Sequence, residues 1–230
     1  DDVVLDFDSG QDVIQLKPGI AAATLSAART GNDLRLGVGG DSSLTLRGWF
    51  ATPGAPVRIV DGGSGATVGL IGGDLADTLT LDGEQDHLLQ GYGGNDSLVG
   101  GSGADRLDGG AGQDALWGND GDDWLAAGND GDRLDGGAGS DTVSYADAAQ
   151  AVVVSLASGT SDGGDSLFSV ENLVGSGFAD SLTGDANANR LEGWEGADIL
   201  AGGGGADTFA YLRLAEGGDR IIDFNRLQGD

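Results

Sequence analysis

Residues 100–144 read GGSGADRLD, GGAGQDALW, GNDGDDWLA, AGNDGDRLD and GGAGSDTVS, five consecutive segments of nine residues. Each segment has aspartate at its sixth position and a large apolar residue at its eighth, in the pattern G-G-x-G-x-D-x-U-x. A short unit repeated at a fixed period forms a solenoid, because one unit cannot bury its apolar side chain alone. The stretch therefore predicts an all-β coil in which six residues form a turn and three form a short strand.

The same period extends to both sides of this stretch. In-phase aspartates, each followed two residues later by an apolar residue, fall in a first series at Asp77, Asp86, Asp96, Asp105, Asp114, Asp123, Asp132 and Asp141. A second series follows at Asp180, Asn189, Asp198 and Asp207. The intervals in the first series are nine, except for ten between Asp86 and Asp96, and we place the extra residue near Gln90. These series predict one array over 71–144, with Leu79, Leu88 and their successors facing inward, and another over 175–210.

The composition favours turns that gather cations. Of the 38 acidic residues 33 are aspartate, 46 residues are glycine, and the formal net charge is -27. Glycine permits backbone conformations with positive φ, and aspartate bonds to its own turn. A halophile-like or disordered acidic chain is the alternative, but 39% hydrophobic residues and 3 prolines argue against disorder. The acidity also excludes nucleic acid as a partner, since binding phosphates needs Lys and Arg.

The nonapeptides resemble the calcium-binding repeats of the RTX family, which includes RTX toxins, serralysin-type proteases and related lipases. The resemblance implies an all-β, right-handed parallel β-roll (a β-helix solenoid) of nonapeptide half-coils, preceded by a small β-rich domain. Turns eighteen residues apart would then stack on one edge, with several Ca²⁺ ions between them. The resemblance thereby implies six pairs of stacked turn residues: Asp96 with Asp114, Asp114 with Asp132, Asp105 with Asp123, Asp123 with Asp141, Asp180 with Asp198, and Asn189 with Asp207.

The resemblance also implies a ligand set of carboxylate and carbonyl oxygens, which calcium prefers. The side-chain ligands are Asp96, Asp105, Asp114, Asp123, Asp132, Asp141, Asp180, Asn189, Asp198 and Asp207. The carbonyl ligands are Gly101, Gly103, Gly110, Gly112, Asn119, Gly121, Gly137 and Gly139. Turns that depart from the pattern are expected to bind weakly or not at all: residues 72–80, 81–89 and 127–135, and the turn of Asn189.

The rest of the chain lies outside the nonapeptide pattern. Residues 1–70 predict a β-rich RTX-associated domain, with tight turns at 31–33 and 39–41 and with Trp49 and Phe50 in its core. Residues 145–174 predict a β insertion that ends one array and begins the next. Residues 211–230 predict C-terminal cap strands. The motifs DVVLDF (2–7) and DRIIDF (219–224) are similar, which suggests one period of a longer tandem protein.

Catalysis by this chain is not expected. His87 is the only histidine and there is no cysteine, so neither a two-histidine zinc helix nor a Cys–His nucleophile can form. No apolar run approaches the length of a membrane span. The RTX resemblance implies a module that folds on Ca²⁺ outside the cell, secreted or on a bacterial surface, through type I secretion.

Three roles stay open at this point. The first is a structural unit of a large secreted protein or adhesin, in contact with neighbouring modules of the same polypeptide. The second is a non-catalytic appendage of a secreted calcium-dependent enzyme, such as a protease, lipase or alginate epimerase. The third adds a polysaccharide or cell-surface ligand, which the sequence does not identify.

Overall fold

The computed structural model describes residues 2–4, 14–15, 25–38, 43–46, 56–60, 67–126, 128–211 and 218–225. This part of the chain is all-β and contains no helix. Its strands are β1 (Asp2–Val4), β2 (Ile14–Gln15), β3 (Leu25–Thr30), β4 (Asp33–Val38), β5 (Ser43–Leu46), β6 (Val57–Val60), β7 (Thr67–Ile71), β8 (Thr78–Thr80), β9 (Leu88–Gly93), β10 (Ser97–Gly101), β11 (Arg106–Ala111) and β12 (Ala115–Asp120). They continue as β13 (Trp124–Ala126), β14 (Arg133–Ala138), β15 (Thr142–Ser144), β16 (Val153–Ser155), β17 (Thr160–Ser161), β18 (Ser166–Phe168), β19 (Asn172–Val174), β20 (Ser181–Thr183), β21 (Arg190–Glu192), β22 (Ile199–Ala201), β23 (Thr208–Phe209) and β24 (Arg220–Ile221).

Two ten-stranded sheets form the body of the molecule. Sheet I has the order β24-β22-β20-β16-β17-β18-β14-β12-β10-β8, and sheet II has the order β2-β6-β7-β9-β11-β13-β15-β19-β21-β23. From β7 to β15 the chain alternates between the two sheets, so that each coil contributes one strand to each. The result is a parallel β-solenoid of about eight turns, which confirms the predicted β-roll.

A continuous ladder of apolar side chains fills the space between the sheets. Leu116 lies between Leu98 and Leu134 in sheet I, with partners eighteen residues apart in the chain, and Leu125 lies between Leu107 and Val143 in sheet II. All six are fully buried. Because side chains alternate between the two faces of a strand, the x-U-x segment turns one residue inward and two outward. The nonapeptide spacing therefore sets both the register and the core.

One predicted core residue is wrong. Sequence spacing placed Leu88 in the ladder, but Leu89 pairs with Leu107 and enters the core of the roll. Leu88 faces the other way and packs with Ile71 in a second cluster. The extra residue of the ten-residue interval therefore precedes Leu89 and does not follow near Gln90.

The N-terminal strands form a separate small sheet of order β1-β5-β4-β3 beside the roll. Residues 31 and 32 connect β3 to β4 in a two-residue hairpin, as predicted, with Gly31 at a φ of 62°. The turn predicted at 39–41 and the side chains of Trp49 and Phe50 lie outside the described residues. Leu25, Leu34 and Leu36 of this sheet share the second cluster with Leu88.

The segment between the two arrays is built into the solenoid. In sheet I, β18 lies parallel to β14, β16 lies parallel to β20, and β17 pairs antiparallel with both β16 and β18. In sheet II, β15, β19 and β21 follow one another without interruption. The two arrays thus belong to one continuous stack of coils.

Candidate metal sites along the two turn edges

The turns lie along two edges of the roll. Edge I carries the turns that precede the strands of sheet I, and edge II carries those that precede the strands of sheet II. Each turn ends two residues before an inward-facing leucine or valine, so its sixth residue points back into the turn. The aspartates at this position between Asp96 and Asp141 are at most 4% exposed.

Hydrogen bonds connect these aspartates in stacks. The backbone N–H of Asp96 donates to Oδ1 of Asp114 at 2.8 Å, and that of Asp114 donates to Oδ1 of Asp132 at 2.9 Å. The same bond, at 2.8 or 2.9 Å, joins the other predicted pairs, Asp105 with Asp123, Asp123 with Asp141, Asp180 with Asp198, and Asn189 with Asp207. The structure therefore brings together all six predicted pairs, each eighteen residues apart.

The second carboxylate oxygen distinguishes two kinds of turn. Among the described residues, the aspartates whose Oδ2 atom is buried and accepts no hydrogen bond include Asp96, Asp114, Asp123, Asp132, Asp141 and Asp198. We call these open turns. A buried charged oxygen without a donor carries a large desolvation cost, and native proteins avoid it. The open turns thus present anionic oxygens that need a positive partner.

Four other turns are closed by their own backbone. Oδ2 of Asp77 accepts the N–H of Gly73 at 2.8 Å, and Oδ2 of Asp105 accepts that of Gly101 at 2.5 Å. Asp180 and Asn189 accept N–H groups of Ser176 and Asp185 in the same way. Counted in chain order, each closed turn carries the first carboxylate or amide side chain of its stack. These residues are satisfied by hydrogen bonds, although Asp105, Asp180 and Asn189 are among the predicted ligands.

Burial makes the open carboxylates costly to ionise. Burial, together with a smaller effect of neighbouring carboxylates, raises the pKa of Asp132 to about 8 and that of Asp123 to about 7. Burial likewise raises the pKa values of Asp96, Asp141 and Asp198 to about 6. Near neutral pH the fold is therefore stabilised either by protonating these groups or by placing a cation beside them.

At several turns, open and closed alike, a glycine five residues before the aspartate lets oxygen atoms of adjacent coils approach closely, because it has no Cβ. A Cβ added to Gly91 would lie 2.1 Å from Oδ2 of Asp96 and 2.7 Å from the carbonyl oxygen of Gly109. At Gly118 the corresponding distances are 2.1 Å to Asp123 and 2.6 Å to the carbonyl oxygen of Gly136. A carboxylate oxygen of one turn thus faces the carbonyl of the turn eighteen residues on.

This donor set fits a hard cation. In the described part of the chain no three carboxylate or imidazole groups converge on one point, so carbonyl oxygens and waters must supply most ligands of any ion there. Calcium accepts such mixed oxygen shells, whereas zinc and copper prefer nitrogen and sulfur. The residues present therefore suit calcium.

The close stacking of turns predicts a strong effect of Gly112→Ala. Gly112 has a φ of 123°, and a Cβ there would lie 1.8 Å from the carbonyl oxygen of Gly94. We expect a loss of about 2 kcal/mol or more in the free energy of unfolding, measured by urea titration in calcium. Gly73→Ala is the control, because a Cβ at Gly73 meets nothing within 4 Å. Equal losses in the two variants would contradict the close approach of the turns.

Sequence spacing missed four members of the stacks, one of which is Asp219, whose Oδ1 accepts the backbone N–H of Asp198 at 2.8 Å. His87, which is 1% exposed, takes the place assigned to Asp86: its N–H donates to Oδ1 of Asp105 at 2.7 Å, and its Nδ1 lies 3.0 Å from the same oxygen. Asp86 is exposed and accepts the N–H of Ala104 instead, so its placement in the series is wrong. Asp165 follows Asp132 on edge I, and Glu171 follows Asp141 on edge II.

A signal for the last two exists in the sequence. Asp165-Ser166-Leu167 and Glu171-Asn172-Leu173 both place an acid two residues before a leucine. Their distances from Asp132 and Asp141 are 33 and 30 residues, which are not multiples of nine, so the period does not reveal them.

Comparison with known proteins agrees with this geometry. The family model of the RTX calcium-binding nonapeptide repeat matches residues 71–107, 83–116, 90–125, 117–147 and 174–209. No curated protein matches the chain. Within the described residues, no helix is long and apolar enough to cross a membrane. With its nonapeptides, its parallel roll and its stacked aspartate turns, the chain belongs to the RTX calcium-binding nonapeptide repeat family.

Proposed function

We propose that this chain is a calcium-dependent structural module that binds several Ca²⁺ ions at its open turns and folds as it binds them. The observation that carries the proposal is the set of buried Oδ2 atoms without hydrogen-bond donors. Calcium supplies the positive charge that these oxygens lack, together with an affinity for nearby carbonyls. The side chains of Asp96, Asp114, Asp123, Asp132, Asp141 and Asp198 are the proposed carboxylate ligands.

The proposed carbonyl ligands lie where adjacent turns approach most closely. The carbonyl oxygen of Asn119 lies 2.0 Å from the Cβ position of Gly137, and that of Gly121 lies 1.9 Å from the Cβ position of Gly139. Gly101, Gly103, Gly110 and Gly112 occupy the equivalent turn positions on the two edges. The closed turns are proposed to keep their conformation without an ion, because a backbone N–H already satisfies the oxygen that an ion would bind. They therefore contribute less to calcium affinity.

Coupling between binding and folding follows from the charge. With a net charge of -27, the ionised roll repels itself, and its open carboxylates oppose folding further. Binding that occurs only in the folded state adds its free energy to stability. Extracellular calcium modules typically work at ~10⁻⁴–10⁻³ M, which supports a role outside the cell, where the module would serve a secreted protein or adhesin.

A non-catalytic role is part of the same proposal. The single histidine is buried within a turn stack, and the regular aspartates hold backbone N–H groups of the neighbouring coil. These groups are used for structure, so we infer that any enzymatic activity of a longer parent protein resides in another domain.

Calcium titration tests the proposal. We expect weak β signal by circular dichroism in EDTA and a cooperative gain as calcium rises through the millimolar range, with isothermal titration calorimetry counting several ions. Magnesium at equal concentration is the control, and it should not substitute, because it demands tighter octahedral geometry and retains its waters. Complete β signal in EDTA, or full replacement by magnesium, would overturn the proposal.

A further inference from the structure

Asp165 is a buried carboxylate whose two oxygens are both satisfied by the protein. It is 3% exposed and follows Asp132 in the stack of edge I. Its Oδ1 accepts the N–H of Asp132 at 2.9 Å. Its Oδ2 accepts the hydroxyl of Tyr145 at 2.8 Å and that of Ser161 at 2.6 Å. At this coil, hydroxyl groups occupy the position that in the open turns has no donor.

The Tyr145 hydroxyl is fixed in position and stays protonated, so it remains a hydrogen-bond donor to Asp165. The ring of Tyr145 is 5% exposed and belongs to the main apolar cluster, so its position is fixed by packing. Burial and the adjacent Asp165 carboxylate raise the pKa of the Tyr145 hydroxyl far above its usual range, so it stays protonated. Hydrogen bonds from neutral donors to a carboxylate are stronger than neutral pairs. The coil of Asp165 thus needs no ion to satisfy its buried charge.

The same segment contacts both arrays through paired strands. Leu167 pairs with Leu134 in sheet I, and Leu173 lies between Val143 and Leu191 in sheet II. Val154 of β16 pairs with Leu182, the first inward leucine of the second array. All belong to one apolar cluster. The strands of this segment can therefore serve as templates for the pairing of strands in the coils before it and in the coils after it.

We propose that residues 145–174 form a metal-independent junction, which stays folded when calcium is removed and from which calcium-dependent folding spreads into both arrays. In a solenoid each coil contacts only its neighbours, so folding can begin at any stable coil and propagate. The first half of this inference stands on the hydroxyl contacts, and the second half rests on the proposed calcium binding.

A carboxylate at the start of the second array is also satisfied by a hydroxyl donor. Ser176 donates its hydroxyl to Oδ1 of Asp180 at 2.8 Å, and its N–H to Oδ2 of the same residue. Asp180 in turn accepts the N–H of Val152 at 2.8 Å, which ties this turn to the junction. Hydroxyl donors thus satisfy carboxylates on both sides of β16.

Hydrogen–deuterium exchange of the full chain tests the proposal. In EDTA we expect peptides from 145–174 to exchange at least about tenfold more slowly than peptides from 109–126, which contain the open turns of Asp114 and Asp123. Calcium should then slow exchange of 109–126 to the level of the junction. Uniform exchange along the chain in EDTA, whether fast or slow, would overturn the proposal.

Two substitutions assign the effect to the hydroxyls. The double variant Tyr145→Phe and Ser161→Ala removes both donors and keeps the ring and the backbone, so it should lose the slow exchange of 145–174 in EDTA. Ser158→Ala, an exposed serine of the same segment, and Tyr211→Phe, an exposed tyrosine, are the controls. Unchanged protection in the double variant would contradict the assignment.

The two proposals fail in different ways. If calorimetry detects no calcium binding, the proposed function is wrong, whatever the exchange pattern in EDTA. If calcium binds and folds the chain but 145–174 exchanges as fast as 109–126 without it, only the junction is wrong.

Discussion

Asp114→Asn is expected to destabilise the calcium-bound protein by about 2–4 kcal/mol and to leave the calcium-free protein equally stable or more stable. Asparagine keeps the oxygen that accepts the N–H of Asp96 and replaces the buried Oδ2 with an amide NH₂. With calcium present, the variant loses an anionic ligand between two coils. Without calcium, it loses a charge whose burial raises the pKa of Asp114 and opposes folding. Urea unfolding in calcium measures the first effect, and the β signal by circular dichroism in EDTA, which should be equal or higher in the variant, measures the second.

Asp86→Asn is the matched control, because it removes one negative charge from the chain in the same chemical way. Asp86 is exposed, lies outside the stack and accepts only the N–H of Ala104. Its change in stability should stay within about 0.5 kcal/mol in both conditions. A loss of stability in Asp114→Asn that is equal in calcium and in EDTA would show a purely structural role for Asp114.

The repeat spacing predicts most of the roll. Where the interval is nine and each coil takes two units, as the RTX resemblance implies, Leu98 must stack with Leu116 in one sheet and Leu107 with Leu125 in the other. The stacked aspartates follow from the same count, because Asp114 precedes Leu116 as Asp96 precedes Leu98. One-dimensional periodicity is sufficient here, since each coil contacts only its neighbours.

Interruptions of the period are not predictable in the same way. A ten-residue interval allows the extra residue on either side of the apolar position, and sequence alone does not choose between Leu88 and Leu89. Tertiary contacts decide between the two, because Leu88 belongs to the second apolar cluster together with Ile71, whereas Leu89 pairs with Leu107 and extends the ladder in the roll. This shift also makes His87, and not Asp86, the stack neighbour of Asp105 on the preceding coil.

The difference between open and closed turns also lies beyond the sequence. Residues 100–105 and 109–114 both follow the G-G-x-G-x-D pattern, yet Oδ2 of Asp105 accepts an N–H of its own turn and Oδ2 of Asp114 does not. What differs is the neighbouring coil: Asp105 faces His87 below it, whereas Asp114 faces Asp96. The site therefore depends on the pairing of turns and not on one turn alone.

The calcium-free protein is expected to become more stable as the pH falls from 8 to 5. In the folded state burial raises the pKa of Asp132 to about 8, that of Asp123 to about 7 and that of Asp96 to about 6, against an ordinary value of 3.8. A raised pKa in the folded state means that folding takes up protons throughout this range, so stability is present at acid pH and lost as pH rises through 6–8. Below about pH 4 the unfolded chain is protonated as well and the gain levels off.

Circular dichroism and thermal unfolding in EDTA at pH 5, 6, 7 and 8 measure this dependence. We expect the β signal, which is weak at pH 7 to 8, to grow toward pH 5, and the midpoint of any unfolding transition to rise on the order of 10 °C over the same range. In saturating calcium the slope should reverse, because protons and the cation compete for the same carboxylates. General charge repulsion within the chain is relieved by acid both in calcium and in EDTA, so it would give the same sign of pH dependence in both. A reversed sign in calcium therefore shows that the buried carboxylates themselves bind the ion. If the midpoint in EDTA falls toward pH 5, the open carboxylates are not held in a buried, unpaired state, and calcium would then have no such charge to balance.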